Sequence, residues 1–304
     1  MFWFVDPVPH RIFGLDANEP LVQSSERSLL MAKKEYKGIS LKDKVEENFL
    51  YASLLGSDIF PFCHLDHRIV VLPIDSSGRF FRMMNKDELQ AKGYDSMLRW
   101  ITKAEDFRKR VRKEKSSTMT IYQRLDRSSG LTFQRRDSEY VVLYNAAGRA
   151  NMVACLLKID TVTTSNVNGN SIKLHGFIAE HKCYLYYPSS LAEGYYLTAI
   201  INSNYAFSVV KQIKSARDIE KKIWELPIPE FNDKDSNHSE LSEIGRRCTK
   251  NSKAILYKEI ENLSSSHLLH PGTIGKLRKK IKKILEDDIE RIDELVAALI
   301  KIRS

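Results

Sequence analysis

Short apolar runs bounded by turn residues fill the middle of the chain, and helical spacing takes over towards its end. Ser24-Ser25-Glu26 has the form of a helix start, predicting a short helix to about residue 34. Residues 46–55 read as a second short helix with Gly56 as its stop. RIVVLPI at 68–74 is an unbroken apolar run of strand length, as a buried strand requires. Asp75-Ser76-Ser77-Gly78 is a turn, and Phe80-Phe81 would return beside it. A helix is predicted from Asp95 to about residue 114, with Leu98, Ile101 and Phe107 apolar. Strands then follow at 118–125, 131–135, 140–145, 152–159, 172–178 and 183–187, each bounded by turn signals. Residues 189–201 return to helix, started by Ser189 or Ser190 with Glu193 behind it, and 205–213 continue it. Pro227 and Pro229 force 224–229 into an extended form.

The tail has a different rhythm. Leu241, Ile244, Cys248, Ile255, Leu256 and Ile260 mark one long helix. After a linker at 264–272, Thr273 is the expected cap of a second helix reaching Ile302. Its apolar positions form two rows: Ile274, Leu277, Ile281 and Ile284, then Leu285, Ile289, Ile292, Val296 and Leu299. The rows are offset by about four residues, as in a coiled coil with a stutter. Two such helices, each near 40 Å long, predict an antiparallel hairpin. Its rows look longer than one partner helix would cover, which favours docking or self-association through the tail.

Composition narrows the class. The chain has 304 residues, 42% of them hydrophobic, and a formal net charge of +9. It can bury a full core without staples, and the basic excess fits a polyanionic partner. Cys63, Cys155, Cys183 and Cys248 have neither zinc-site nor disulfide-scaffold spacing. Reduced thiols and a cytoplasmic location are expected. The apolar opening Met1 to Val5 stops at Asp6-Pro7, too short for a signal peptide, and its aromatics call for a neighbour to pack on. No run approaches a membrane span.

Several chemistries leave no mark. No glycine-rich phosphate loop, Gly-x-Gly-x-x-Gly or Gly-x-Ser-x-Gly is present. Cys63, His64, Asp66 and His67 lie close together, but no second ligand pair matches them. Three groups of residues point towards nucleic acid. Residues 99–115 (RWITKAEDFRKRVRKEK) carry eight basic side chains against three acidic ones. Arg99, Lys103, Arg108, Lys109, Arg110, Arg112 and Lys113 could face phosphates or simply water, and Ser116-Ser117-Thr118 could add hydroxyl contacts. Gln123-Arg124 and Gln134-Arg135-Arg136 end two predicted strands, and arginine and glutamine have the geometry to read guanine and adenine edges. In the tail, lysines and arginines at 276–283 precede acids at 286–294, as in an exposed hairpin or a docking arm.

The order of segments resembles a known family. Leu54-Leu55-Gly56-Ser57-Asp58-Ile59, Phe60-Pro61-Phe62 and RIVVLPI form the first block. The second is Leu131-Thr132-Phe133-Gln134 with YVVLYN at 140–145 and Gly148. The third runs through Tyr184-Leu185-Tyr186-Tyr187, EGYYLTAIINS at 193–203, Ala216-Arg217-Asp218-Ile219 and WELPIPEF at 224–231. Together they resemble the target-recognition (specificity) region of N-6 adenine DNA methyltransferases of restriction-modification systems, the TaqI-like C-terminal specificity domain among them. Glu220 stands where the family often has histidine. The family's Asn-Pro-Pro-Tyr motif and its S-adenosylmethionine motif are not found. The resemblance therefore implies sequence-specific duplex DNA binding without catalytic residues, cofactor or metal in this chain. S-adenosylmethionine would belong to a partner methyltransferase domain or subunit, which flips the adenine out.

The expected fold is α+β: a mixed β-sheet target-recognition domain with flanking helices, at 45–232, plus a C-terminal antiparallel α-helical hairpin at 233–304. Residues 1–44 would be a lead segment. Two other readings stay open: a methyltransferase or nuclease with an unrecognised active site, and an interaction protein built on the hairpin.

Overall fold

The computed structural model describes residues 3–8, 19–111, 119–145, 152–167, 170–212, 223, 225–261, 263–264 and 270–300. The fold is α+β, with a mixed six-stranded sheet, several helices and a C-terminal helical pair. The chain forms two compact units. One comprises residues 1–53, 67–138 and 159–179; the other comprises 54–66, 139–158 and 180–304.

The first unit is built on the six-stranded sheet, in the order 177–179, 50–54, 68–71, 4–7, 21–24 and 42–44. Most neighbours run antiparallel, with Val5 opposite both Ser24 and Ile69, and Tyr51 opposite Val70. The pairing of Leu50–Leu54 with Phe177–Ala179 is parallel. His175 N–H donates to the Leu50 carbonyl and Ala52 N–H to the Gly176 carbonyl, so both strands ascend together. The strands at 4–7, 21–24 and 42–44 come from the expected lead segment, so that segment is part of this sheet. Phe4 packs beside a core of Tyr51, Val70, Leu72, Ile74, Phe81, Leu131 and Ile178.

Three local expectations are corrected here. Residues 46–55 are not a helix but a 3-10 turn, Glu47–Phe49, followed by the strand Leu50–Leu54. All five residues of that strand are buried, and burial of both faces erases the alternation that marks a half-exposed strand. Residues 118–125 and 131–135 are not strands either. The former contain the helix Ile121–Leu125, and the latter a turn with one bridge, Phe80 to Arg135.

The second unit packs helices on a three-stranded antiparallel sheet of 154–158, 140–145 and 183–186. Val142, Tyr144, Ala154 and Leu156 share a core with Tyr196, Leu197 and Ile200 of the helix Leu191–Asn202. The helix Ser236–Ile260 lies so close to it that a Cβ on Gly245 would sit 2.4 Å from the Tyr195 carbonyl oxygen. No larger residue fits there without moving backbone. Asp235 caps this helix by accepting from Asn237 and His238 N–H.

The expected final helix is two helices, Pro271–Ile284 and Glu286–Leu299. The break falls at Leu285, where the two apolar rows change step. The cap is His270, which accepts from Gly272 N–H, rather than Thr273. Ile274, Leu277, Ile281, Leu285, Ile289, Ile292, Leu295 and Val296 are all buried in the unit's own core. Most of the two rows is therefore covered within the unit, while Ile284 stays 54% exposed. Arg247–Asp288, Lys280–Glu259 and Arg291–Glu240 pair in descending register, which fixes the hairpin as antiparallel.

Candidate nucleic-acid interface

The basic helix Asp95–Val111 starts from a cap supplied from outside. Glu46 accepts from Ser96 and Met97 N–H at 2.9 and 2.7 Å, placing an anion at the positive end of the helix. Met97, Trp100, Ile101 and Ala104 bury one face. Its basic residues then divide. Lys103 pairs with Asp43 at 2.6 Å, and Arg99 lies 3.8 Å from the same carboxylate. Arg108 donates to the Met119 carbonyl, tying the helix end to the next segment. Lys109 is exposed, and the exposed Arg110 lies over Phe107, 5.7 Å from the ring centre. Arg99, Lys103 and Arg110 fall within about 40° of one another at 100° per residue, whereas Arg108 points to the opposite side. The expected single row of phosphate contacts is thus two groups. Arg112, Lys113 and residues 116–118 lie outside the described residues, as do Gly148, 216–220 and Trp224.

The segment from Thr120 to Asp137 is where exposed cations and aromatics meet. Thr120 and Gln123 form a capping box, Gln123 N–H donating to the Thr120 hydroxyl and Thr120 N–H to the Gln123 side chain. Gln123 therefore starts a helix, and Arg124 beside it is exposed without an ion pair among the described residues. Asp126 organises the turn that follows. Its carboxylate accepts from Leu131 N–H and Thr132 N–H at 3.0 Å and from the Thr132 hydroxyl at 2.8 Å. The turn passes through Ser128 and Ser129 with φ of 54° and 56°, a left-handed form that few residues adopt unsupported.

Gln134 is the second fastener. It is only 5% exposed. Its side-chain NH2 donates to the Gly130 and Ala179 carbonyls, both at 2.9 Å, and its side-chain oxygen accepts from Ala179 N–H at 2.8 Å. The expectation that Gln134 approaches base edges is corrected by this geometry: its polar atoms are spent inside the fold. Between the two fasteners the chain turns Phe133 outward, 74% exposed.

The following residues face a second segment. Arg135 bridges to Phe80, and Arg136 N–H donates to the Arg79 carbonyl at 2.9 Å. Asp137 stands between Arg79 at 3.2 Å and Arg135 at 3.0 Å. The Arg135 hydrogen bond is the main cause that holds the Asp137 carboxyl below its usual range. The Arg79 guanidinium lies 5.6 Å from the ring centre of Phe80, itself 46% exposed. Arg136 is exposed and faces Tyr51 and His175 electrostatically. Burial first, then Lys173 and Arg136, hold the His175 imidazole below its ordinary value. Burial pushes the Tyr51 hydroxyl up to about 12.

Of the sequence-predicted residues, Arg135 and Arg136 are brought together, with Arg79, Phe80 and Phe133 beside them. Gln123 and Gln134 serve the backbone. The sequence pattern places Phe80 and Phe133 in strands, although each adjoins arginine or glutamine in Arg79-Phe80 and Phe133-Gln134-Arg135-Arg136. That interleaving was the available signal. Among the described residues no group of three or more His, Cys, Asp or Glu is placed to hold a metal, and no helix is long and apolar enough to cross a membrane. Cys63 is buried and its thiol is raised to about 12. His64 Nδ1 donates to the Leu65 carbonyl, and the Asp66 carboxylate accepts from the Tyr257 hydroxyl.

No protein-family model and no curated protein matches the chain. Among solved structures, the chain is similar to MmeI, a type IIL restriction-modification enzyme in complex with DNA. Identity is 14% and the TM-score 0.44, over 85% of this chain. The chain spans 29% of the length of that structure.

Proposed function

We propose that this chain binds duplex DNA and reads its sequence as the target-recognition part of an N-6 adenine DNA methyltransferase system, without catalytic chemistry of its own. S-adenosylmethionine and the transfer step would then belong to a partner methyltransferase domain or subunit. One observation carries the reading. The segment 120–137 is fastened from inside by Asp126 and Gln134 and turns Arg124, Arg127, Arg136 and Phe133 to the surface. Arg79 and Arg135 stand beside them on one carboxylate. A rigid surface of cations and aromatics offers phosphate contacts and base-edge contacts from one support.

These roles fail in different ways. Phosphates are alike at every step, so Arg124→Ala or Lys109→Ala weakens binding to all duplexes equally. Each lost contact lowers the salt slope by roughly 0.9. Arg135→Ala instead costs about 1–3 kcal/mol on a preferred sequence and little on random duplex. Selection from a randomised duplex pool supplies the preferred sequence, and gel-shift titrations across a salt series read both effects. Absence of salt-dependent duplex binding by the full chain overturns the proposal.

A further inference from the structure

We infer that Phe133 is a wedge that enters a base step of the bound duplex and unstacks it. The inference rests on the DNA-binding reading above and adds a deformation to it. Phe133 is the most exposed of the large apolar side chains among the described residues, at 74%. Asp126 holds the backbone of Leu131 and Thr132 immediately before it, and the buried Gln134 holds the chain immediately after it. The side chain is thus presented outward by two internal anchors rather than left over by poor packing.

Its surroundings select the occupant. Arg79, Arg127 and Arg136 are exposed, and Arg135 is half-buried beside them. Asp137 is the carboxylate that answers Arg79 and Arg135, while the Asp126 carboxylate is turned into the loop. A protein partner offering an apolar socket would have to bring several acids with it. A duplex offers phosphates on either side of every base step and an apolar interior between the bases. Wedges of this kind insert an apolar side chain between bases and bend the helix, and the cost depends on how readily the step unstacks. Phe80, 46% exposed under the Arg79 guanidinium, lies across the bridge from Arg135.

A wedge favours a step that is already weakened. The test compares the full chain on two 24-base-pair duplexes, one fully matched and one with a central C·C mismatch, by fluorescence anisotropy. The wild type is expected to bind the mismatched duplex about tenfold more tightly. Phe133→Ala should bind both alike with little loss on the matched duplex, and Phe133→Trp should keep the preference. Because the side chain is exposed, these variants fold, and a thermal melt confirms it. Equal wild-type affinity for the two duplexes overturns the wedge and leaves the DNA reading standing. A preference that survives in Phe133→Ala also overturns it. Binding of neither duplex overturns the DNA reading itself, and the wedge with it.

Discussion

The tail hairpin and the segment 120–137 are both rich in charge, yet they use it in opposite ways. In the hairpin, Arg247, Lys280 and Arg291 each meet a carboxylate on the facing helix. Most of the apolar rows beneath them is buried, so charge there sets register and alignment. In 120–137 the interior is fastened by polar side chains, Asp126 and Gln134, while Arg124, Arg127 and Arg136 face outward without ion pairs among the described residues. A cation whose geometry is answered within the fold serves the fold. A cation held on a rigid support and left unanswered is available to a ligand.

The largest expected effect comes from reversing the apolar logic of the hairpin. Ile292 is fully buried. Ile292→Asp places an unpaired charge in the core and should cost more than about 4 kcal/mol, unfolding the second unit in a thermal melt. A melt unchanged from wild type would show that the rows are not the core of the hairpin.

Removing the polar fastener of the loop should cost less. Gln134→Leu leaves Ala179 N–H and two carbonyls without their side-chain partner, a loss of about 3 kcal/mol. Hydrogen exchange at Ala179 should accelerate, with the amides of the hairpin unaffected. Unaltered exchange at Ala179 would mean that Gln134 does not hold the loop.

The smallest effect concerns one cation of the hairpin that burial disfavours. Lys282 donates to the Asn202 carbonyl and the Asn204 side chain, and burial pulls its ammonium down to about 8, partly offset by Asp293. Its folded value lies below the unfolded one. The cost of holding it charged is therefore fully present below pH 8 and disappears as pH rises towards the unfolded value. Relative to the wild type, Lys282→Met should lose ground by on the order of 2–3 kcal/mol between pH 7 and about pH 10.5, as that cost disappears from the wild type. Denaturant titrations of both proteins at the two pH values measure the difference; one that does not change with pH would contradict the assignment.

The same contrast explains what the sequence revealed. The hairpin was legible because its period of three and four residues reflects which face is buried, and even the break at Leu285 shows as the offset between Ile284 and Leu285. The strand 50–54 was misread because burial on both faces removes its alternation. In the candidate interface, Arg135 and Arg136 were found through residue type, which indicates what a side chain could contact. Gln134 has the same credentials and is turned inward, where it holds Gly130 of its own turn and Ala179, an edge-strand residue 45 positions away that the sequence does not place beside it. Phe133 was hidden by a run, Leu131-Thr132-Phe133, that alternates like a strand but is bent by Asp126.

The interleaving of the two units bears on how the protein can be taken apart. The chain leaves and re-enters each unit, so that residues 1–53, 67–138 and 159–179 must come together to make the first. A single cut releases neither unit whole. Truncation before residue 45 removes three strands of the large sheet, and exchange of the loop 120–137 alone with a related protein would separate Gln134 from Ala179, to which it is held. Re-engineering of this surface therefore has to proceed by substitution at its outward-facing positions, within an intact chain.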